Sequence, residues 1–288
     1  MKEPTMPSRP VHPSRFWADC PSTHFQSLIA SGRAKDVVAV LPVAATEQHG
    51  PHLPLNVDTA IVDGVIRAAL DHLPSGSQAL FLPTQAIGFS PEHAAFPGTL
   101  TLKAETVLHL WTELAECVAA AGIRKFMIFN AHGGQSNFMD IVARDLRARL
   151  GMMAFSVNWY AMPLLGVQGE DVNALLDAKE HRFGIHAGQM ETSLMLALAP
   201  DLVDMSVASD FESSAQSRAR DYEILGNGKS AKFAWQIQDY NENGAVGNSA
   251  AATVQLGQAA LEAAGRALVR LLGEIEQLPL STLVDRST

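Results

Sequence analysis

Cysteine is almost absent from this sequence. The 288 residues include only two, Cys20 and Cys117. Two cysteines cannot cross-link a chain of this length into a disulfide scaffold, and no C-x-x-C pair is present to bind zinc through thiolates or to act as a redox pair. This low cysteine content agrees with a reducing compartment.

The sequence also has no excess of basic residues. Lys and Arg number 21 against 30 Asp and Glu, which gives a formal net charge of -9. This balance argues against a bulk electrostatic attraction to nucleic acid or to an anionic membrane. Apolar runs stop well short of the roughly 18 residues of a membrane span, and residues 1–17 hold four prolines and no apolar signal core. We therefore expect a cytoplasmic protein with neither nucleic-acid nor membrane partners.

Three common catalytic and nucleotide-binding motifs are missing as well. The sequence has no G-x-x-x-x-G-K-[ST] phosphate loop and no G-x-G-x-x-G dinucleotide fingerprint. It also has no G-x-S-x-G nucleophile elbow. What it does have is ten histidines, several of them beside acidic residues and glycines.

Apolar patterning predicts an α/β fold. A continuous β-branched run at 37–43 is typical of a strand covered on both faces. Alternating strand and helix patterns follow it, which favours a parallel sheet with right-handed crossovers. We expect a three-layer α/β/α sandwich with a mostly parallel central sheet. The predicted strands are 37–43, 79–83, 125–130 and 152–157, and the predicted helices between them are 59–73, 103–121 and 135–150.

The remaining segments complete the predicted organisation. Residues 1–24 are rich in proline and polar residues and are expected to form an extended arm. Residues 25–288 are expected to form a single domain, with an inserted loop or lid at 160–185 and late helices at 187–198 and 250–276.

Polar residues cluster where strands are predicted to end. Ligands bind beyond the carboxyl ends of the strands in an open parallel sheet, so these loops are expected to share one cleft. The residues of this predicted cleft are Glu47, His49, His52 and Asp58 after the first strand, Glu92 and His93 after the second, Asn130 and His132 after the third, and His186 and Glu191 near the late helix.

Carboxylate and imidazole ligands suit borderline divalent cations. Glu47 and His49, two apart in an extended segment, would point the same way, and Asp58 and His132 would join them. Each residue also has a plainer interpretation. Asp58 could simply cap a helix. Glu47 and His49 could be a solvated pair in a loop, and His132 could be a turn residue. Their convergence favours a metal site.

These segments together resemble the creatininase (creatinine amidohydrolase) family. The residues that carry the resemblance are LPVAATEQHGPHLPLNVDT (41–59), GFSPEHAAFPGTLTL (88–102), FNAHGGQSN (129–137), HAGQMETSLMLALAPDLVD (186–204) and, more weakly, NGAVGNSAAAT (243–253). Their order and spacing follow the family over most of residues 37–270. The resemblance implies an α/β/α sandwich, a homohexamer and a hydrolase with two divalent metal ions per chain, zinc first, with manganese or iron as alternatives.

The resemblance also implies a ligand set. One ion would be bound by Glu47, Asp58 and His132, and the second by His49, by Asp58 as the bridge, and by one more carboxylate. In creatininase itself that carboxylate follows the histidine by two residues, where this chain has Gly134. Members with the His-Gly-Gly form use a glutamate of the later helix, which is Glu191 here.

His186 is near enough in sequence to Glu191 to pass a proton to the leaving nitrogen, and its alternative interpretation is a histidine of a lid or one that supports the ligands. Glu191 is expected to be a ligand or a catalytic base. Residues assigned to the substrate or to support of the ligands are His52, His93, Gly133, Gly134 and Trp159.

Several departures from the family pattern weaken a prediction of creatinine itself. Ala131 replaces the usual glycine before the histidine, and Gln135 stands in place of the usual asparagine. The tryptophan just upstream of the late histidine motif is missing, with Phe183 and Gly184 nearby. We expect hydrolysis of a small amide or lactam, with a cyclic or heterocyclic substrate. The alternatives are another bond class on the same metals (formamide, peptide or cyclic-ketone C–C) and a non-catalytic, metal-stabilised binding protein.

Overall fold

The computed structural model describes residues 12–285, and a four-stranded parallel sheet lies at its centre. Its strand order is β2-β1-β3-β4. The two central strands pair over their full length, from Val38 opposite Lys125 to Val43 opposite Asn130. Both central strands are buried throughout, as expected for strands covered on two faces. The strands are β1 (Val38–Val43), β2 (Ala79–Phe81), β3 (Lys125–Asn130) and β4 (Met153–Asn158).

Helices cover both faces of this sheet. Alternate residues of β1 enter opposite cores: Val38 and Val40 pack on one side, and Ala39 and Leu41 on the other. The predicted three-layer α/β/α sandwich is therefore confirmed. The first core is shared with α2 (Val57–Leu70), α6 (Gln189–Leu198) and α9 (Val254–Gln277), and the second with α1 (Ser22–Ala30), α3 (Ala104–Ala120) and α4 (Ser136–Leu150).

Small residues let the long last helix lie close to its neighbours. A Cβ added at Gly257 of α9 would overlap the Ser193 carbonyl of α6, and one at Gly265 would lie 2.7 Å from the Ala68 carbonyl carbon. Because α9 contacts both α2 and α6 so closely, it fixes the two helices that carry Asp58 and Glu191.

Helix boundaries differ from the predictions by a few residues. The helix predicted from residue 59 begins at Val57, so Asp58 lies in its first turn and Asn56 is at the N-cap. The last helix begins at Val254 instead of 250, because Thr253 caps it by accepting a hydrogen bond from the Leu256 N–H. The interpretation of Asp58 as a helix cap is therefore wrong.

The less regular segments contain short elements. They are α5 (Ala178–Phe183), α7 (Ala215–Asp221), α8 (Ile237–Tyr240) and an antiparallel ribbon of β5 (Asp210–Phe211) with β6 (Gly247–Asn248). Among residues 12–285, no helix combines the length and apolar character needed to cross a bilayer.

Part of the predicted N-terminal arm, residues 1–11, lies outside the described residues. Of the remainder, Phe16 bridges in parallel to Phe81 at the edge of the sheet, and α1 begins at Ser22. The Arg15 guanidinium donates to the carbonyls of Ser77 and Pro74. The domain boundary at residue 25 stays a prediction.

Candidate metal centre

Three carboxylates and two imidazoles converge beyond the carboxyl ends of β1 and β3. His132, directly after β3, places Nδ1 3.3 Å from Glu47 Oε1 and 3.3 Å from Asp58 Oδ2. His49 Nε2 lies 3.6 Å from the other Asp58 oxygen, Oδ1, and 3.9 Å from Glu191 Oε2. Asp58 thus presents one oxygen to each imidazole, which is the arrangement a carboxylate needs to bridge two cations.

This arrangement suits divalent cations. Glu47, Asp58 and His132 offer ligand atoms that all lie within 4.8 Å of one another, and so do His49, His186 and Glu191. His49 Nε2 and Asp58 Oδ2 are buried and have no hydrogen-bond partner among the described residues. Leaving such a group unsatisfied costs about 1–3 kcal/mol, so a bound cation would remove a penalty at both atoms. Mixed oxygen and nitrogen donors are suitable for zinc or manganese.

Burial and mutual charge shift the acid–base properties of these groups. Burial raises the pKa of Glu47, and it raises the pKa of Glu191 to about 7. Burial would also raise the pKa of Asp58, but the neighbouring positive charges of His132 and His49 outweigh it and bring that pKa to about 2. A bound divalent cation would take over the positive charge that these two imidazoles carry, and they would release their protons.

A stack of three imidazoles lies beside the carboxylates. The His186 ring lies 4.2 Å from the His49 ring and 4.2 Å from the His93 ring. The Gln48 side-chain amide donates to His93 Nδ1 (2.8 Å) and to the Gly244 carbonyl (2.8 Å). His93 therefore carries its proton on Nε2, which lies 3.5 Å from Glu47 Oε1. Burial lowers the pKa of His93 to about 2, so this ring stays neutral.

His186 has its tautomer fixed by the backbone. Its Nε2–H donates to the Gln48 carbonyl oxygen at 2.8 Å. The lone pair is then on Nδ1, which lies 3.8 Å from Glu47 Oε1. Burial lowers the pKa of His186 well below its usual value, so the ring is neutral. A neutral imidazole with its lone pair toward the carboxylates can accept a proton or bind a cation.

The segment that carries His186 and Glu191 is held under strain. Ala187 adopts a φ of 55°, which costs an L-residue roughly 1–2 kcal/mol. In this conformation its N–H donates to Glu191 Oε2 at 2.5 Å. Glu180 of α5 holds the same region by accepting from the N–H groups of Gln189 (2.6 Å) and Asn248 (2.8 Å). Sequence reasoning missed Glu180 because its partners are backbone groups brought together only by the fold.

The loop after β3 is held by side-chain amides. Asn130 Nδ2 donates to the His132 carbonyl (2.5 Å), and Asn130 Oδ1 accepts from the His132 N–H (3.0 Å). Gln135, the departure noted above, also donates to Asn130 Oδ1, at 3.0 Å. These bonds aim the His132 ring at Glu47 and Asp58.

A cavity of about 730 Å³ opens over the carboxylates. Trp159, Gly133 and Gly134 line it. Trp235 was not predicted: its ring meets His93 edge-on at 6.3 Å and Tyr240 at 4.8 Å. No pattern in the sequence distinguishes it from the other aromatic residues of 206–248, such as Tyr222 and Phe233. Other lining residues are Glu92, Tyr160, Leu164, Met190 and Phe233.

His52 does not line this cavity. Its Nε2 lies 2.9 Å from Thr192 Oγ1 of α6, and its ring stacks on Phe211 at 5.7 Å. It connects the loop after β1 to the helix of Glu191. His52 is thus placed for support of the site, and a direct contact with substrate is not available to it in this arrangement.

The comparisons with known proteins give the family. The family model "Creatininase: Creatinine amidohydrolase" matches residues 25–272. The chain belongs to the creatininase family.

Relatives within the creatininase family have several substrates. A mycofactocin precursor peptide peptidase of Mycobacterium ulcerans (strain Agy99) is 32% identical over 169 residues, which are 57% of this chain and 59% of the peptidase. The creatinine amidohydrolase of Pseudomonas putida is 29% identical over 65% of this chain and 72% of that enzyme. A 3-dehydro-scyllo-inosose hydrolase of Thermotoga maritima is 25% identical over 85% of this chain and 79% of that enzyme. The chain therefore matches little more than half the length of the peptidase.

Solved creatininase structures share the fold. A crystal structure of creatinine amidohydrolase (creatininase) gives a TM-score of 0.71 at 24% identity and covers 93% of this chain and 100% of its own. A structure described as "Creatininase Mn" gives a TM-score of 0.71 at 24% identity, over 92% of this chain and 100% of its own. A creatininase variant of "Zn-Zn type" gives 0.68 at 23%, over 92% and 99%. At these identities the likeness shows the fold alone.

Proposed function

We propose that this protein is a dinuclear metal-dependent amidohydrolase that cleaves a C–N bond of a small cyclic or heterocyclic amide. The observation that carries the proposal is the position of Asp58, whose two oxygens face His132 and His49 in turn beneath the cavity. Glu47, Asp58 and His132 would bind one ion. His49, Asp58 and Glu191 would bind the other.

The metals' identity is proposed from the donor set and the family. Zinc is the first candidate, with manganese and iron as alternatives, since all three accept carboxylate and imidazole ligands. The "Creatininase Mn" and "Zn-Zn type" structures are consistent with the first two. When bound, two such metal ions polarise a carbonyl group and lower the pKa of a bound water toward neutrality.

The chain's own residues would orient the substrate and move the proton. His186 would accept a proton at Nδ1 and deliver it to the leaving nitrogen, because its Nε2–H is bound to the Gln48 carbonyl. Trp159 and Trp235 give the cavity flat apolar walls against which a planar ring can pack. Tyr240 packs against the Trp235 ring at 4.8 Å, and the Arg218 guanidinium lies over the rings of Tyr240 (4.7 Å) and Phe233 (5.2 Å).

A second candidate is hydrolysis of a cyclic-ketone C–C bond on the same metals. The inosose hydrolase supports it, because that match extends over 85% of this chain. Peptide cleavage is supported by the peptidase relative. By family resemblance we also propose a homohexamer, and the cytoplasmic location stays a prediction from the sequence. Light scattering of the purified protein would give the assembly.

A substrate panel distinguishes these activities. Metal-loaded protein, chelator-stripped protein and Asp58→Asn would each be incubated with lactams, formamides, short peptides and cyclic ketones. Mass spectrometry would identify the products, which are substrate plus one water for a cyclic substrate and two fragments for a formamide or a peptide. We expect hydrolysis of a lactam or heterocyclic amide by the loaded protein alone. Turnover confined to the ketones would replace the amidase proposal with C–C hydrolysis, and no turnover of any class would favour the binding protein.

A further inference from the structure

The turn at residues 90–93, which follows β2, reaches two of the proposed ligands. Ser90 Oγ donates to Glu47 Oε2, and His93 Nε2–H faces Glu47 Oε1 at 3.5 Å. Glu92 contacts a second proposed ligand, His132, with its Oε1 3.2 Å from His132 Nε2. The turn therefore contacts both Glu47 and His132, and it meets His132 at Nε2, whereas Asp58 faces Nδ1.

His132 has its two ring nitrogens in different surroundings. Nδ1 faces the carboxylates of Glu47 and Asp58. Nε2 faces the Phe89 carbonyl at 3.0 Å and the Glu92 carboxylate. Two acceptors around Nε2 hold the proton there, which leaves the lone pair on Nδ1 for a cation. A carboxylate at this second nitrogen fixes the ring orientation and raises the basicity of the imidazole.

Gly134 provides the space that Glu92 occupies. A Cβ built on Gly134 would overlap the Glu92 carboxylate and lie 2.6 Å from His132 Nε2. The neighbouring Gly133 has no such constraint, since its nearest contact would be the Tyr160 hydroxyl at 3.9 Å. A side chain at position 134 and the Glu92–His132 contact therefore exclude each other.

We propose that Glu92 is a positioning residue for the metal centre, holding the His132 tautomer and thereby strengthening binding of the ion at Glu47, Asp58 and His132. The inference rests on the proposed function, because it needs a cation at that set. Where creatininase has a carboxylate in place of Gly134, this chain has the carboxylate of Glu92 nearby, supplied by the turn at residues 90–93. The side chain of Glu92 is only 12% exposed, so its charge is little screened by solvent.

Metal affinity of the Glu92 variants tests this role. Metal-free protein would be titrated with Zn²⁺ by calorimetry for wild type, Glu92→Ala, Glu92→Gln and the control Glu105→Ala, an exposed carboxylate on α3. We expect Glu92→Ala to weaken one of two binding events by about 10–100-fold, the usual effect of removing such a partner. Glu92→Gln should lose less, because its Oε1 can still accept from Nε2–H. The control should match wild type.

Two further readouts separate positioning from a purely structural role. The cobalt-substituted protein should show a changed visible spectrum in Glu92→Ala and a nearly normal one in Glu92→Gln, while metal-free melting temperatures stay equal. Gly134→Ala should weaken the same binding event, and Gly76→Ala, where an added Cβ meets nothing within 4 Å, should not. Equal zinc affinities and spectra in wild type and Glu92→Ala would overturn this inference alone. A wild type that binds no divalent cation would overturn it together with the proposed function.

Discussion

At the scale of single residues, His186 is defined by what each of its two nitrogens faces. The Gln48 carbonyl accepts from Nε2–H, and Nδ1 points toward Glu47. The ring is stacked between His49 and His93, so it cannot swing away without breaking both contacts. A fixed, neutral imidazole at the cavity wall is suited to proton transfer, and the same geometry would also allow it to bind a cation.

Replacement of His186 by alanine separates these two roles. Because the proposed ligands do not include it, His186→Ala should keep the metal content of wild type while turnover falls by about 10²-fold or more, the scale of acid–base catalysis. His109→Ala, an exposed histidine on α3, is the matched control. Metal content and turnover would be measured on the same preparations. Loss of an ion would make His186 a ligand, and unchanged turnover would remove it from the reaction.

At the scale of secondary-structure elements, α6 depends on a carboxylate from α5. Glu180 is buried and accepts from two backbone N–H groups, one at the start of α6 and one in β6. Gly184, Gly188 and Gly247 pack against it so closely that a Cβ at any of them would collide with the carboxylate. Since α6 begins here, the position of Glu191 depends on this contact.

Removal of that carboxylate should loosen the start of α6. Glu180→Ala leaves two part-buried donors without their partner, and we expect the free energy of unfolding to fall by about 1–3 kcal/mol. Turnover should fall as well, because Glu191 is no longer held. Urea denaturation checks the first effect. Lys179→Ala, which removes an exposed neighbouring side chain, should leave both quantities near wild type. Unchanged stability in Glu180→Ala would mean that the backbone around Gly184, Gly188 and Gly247 keeps its conformation without the Glu180 carboxylate.

The sequence predicted the elements best where one physical signal dominated. The continuous apolar runs of β1 and β3 and the helical periodicity of α3 and α4 identified the sheet and its covering layers to within two residues. The short elements between residues 206 and 248 lack such a signal, because their residues are held by contacts with distant segments. Trp235 is an example, since it reaches the cavity from an irregular stretch. Glu92 was expected in the cleft from its position after β2, but its contact with His132 is visible only in the folded chain.

His12 makes the N-terminal edge of the fold sensitive to pH. Its Nδ1 lies 2.9 Å from His24 Nε2, and burial, with the nearby charges of His24, Arg15 and Arg33, lowers the pKa of His12 to about 4. Because the folded pKa is below the unfolded value of about 6.5, the folded state prefers the neutral ring. The resulting stability is present above about pH 6.5 and is lost as the pH falls toward 4.

Comparison with a variant that cannot titrate at this position isolates the effect. Between pH 7 and 4, the free energy of unfolding of metal-saturated wild type should fall more steeply than that of His12→Gln. Urea denaturation across this range would give both curves, with His109→Gln as a control expected to follow wild type. Parallel curves for wild type and His12→Gln would show that His12 has the same pKa in the folded and the unfolded protein, which would contradict the prediction.

At the scale of the whole molecule, the proposed ligands come from four separate segments. Glu47 and His49 follow β1, Asp58 opens α2, His132 follows β3, and Glu191 lies on α6. The parallel sheet brings these segments to one edge, and α9 packs the two helices together from behind. A ligand that binds only the folded state stabilises it by mass action, so bound ions would hold the four segments together.

The central claim is a dinuclear centre bridged by Asp58, and metal content tests it most directly. Elemental mass spectrometry would be applied to protein purified without chelator, for wild type, Asp58→Ala and the control Asp71→Ala, an exposed carboxylate at the end of α2. The account predicts close to two divalent ions per chain in wild type and in the control, and loss of both in Asp58→Ala. Less than one ion per chain in wild type, or an unchanged content in Asp58→Ala, would contradict it.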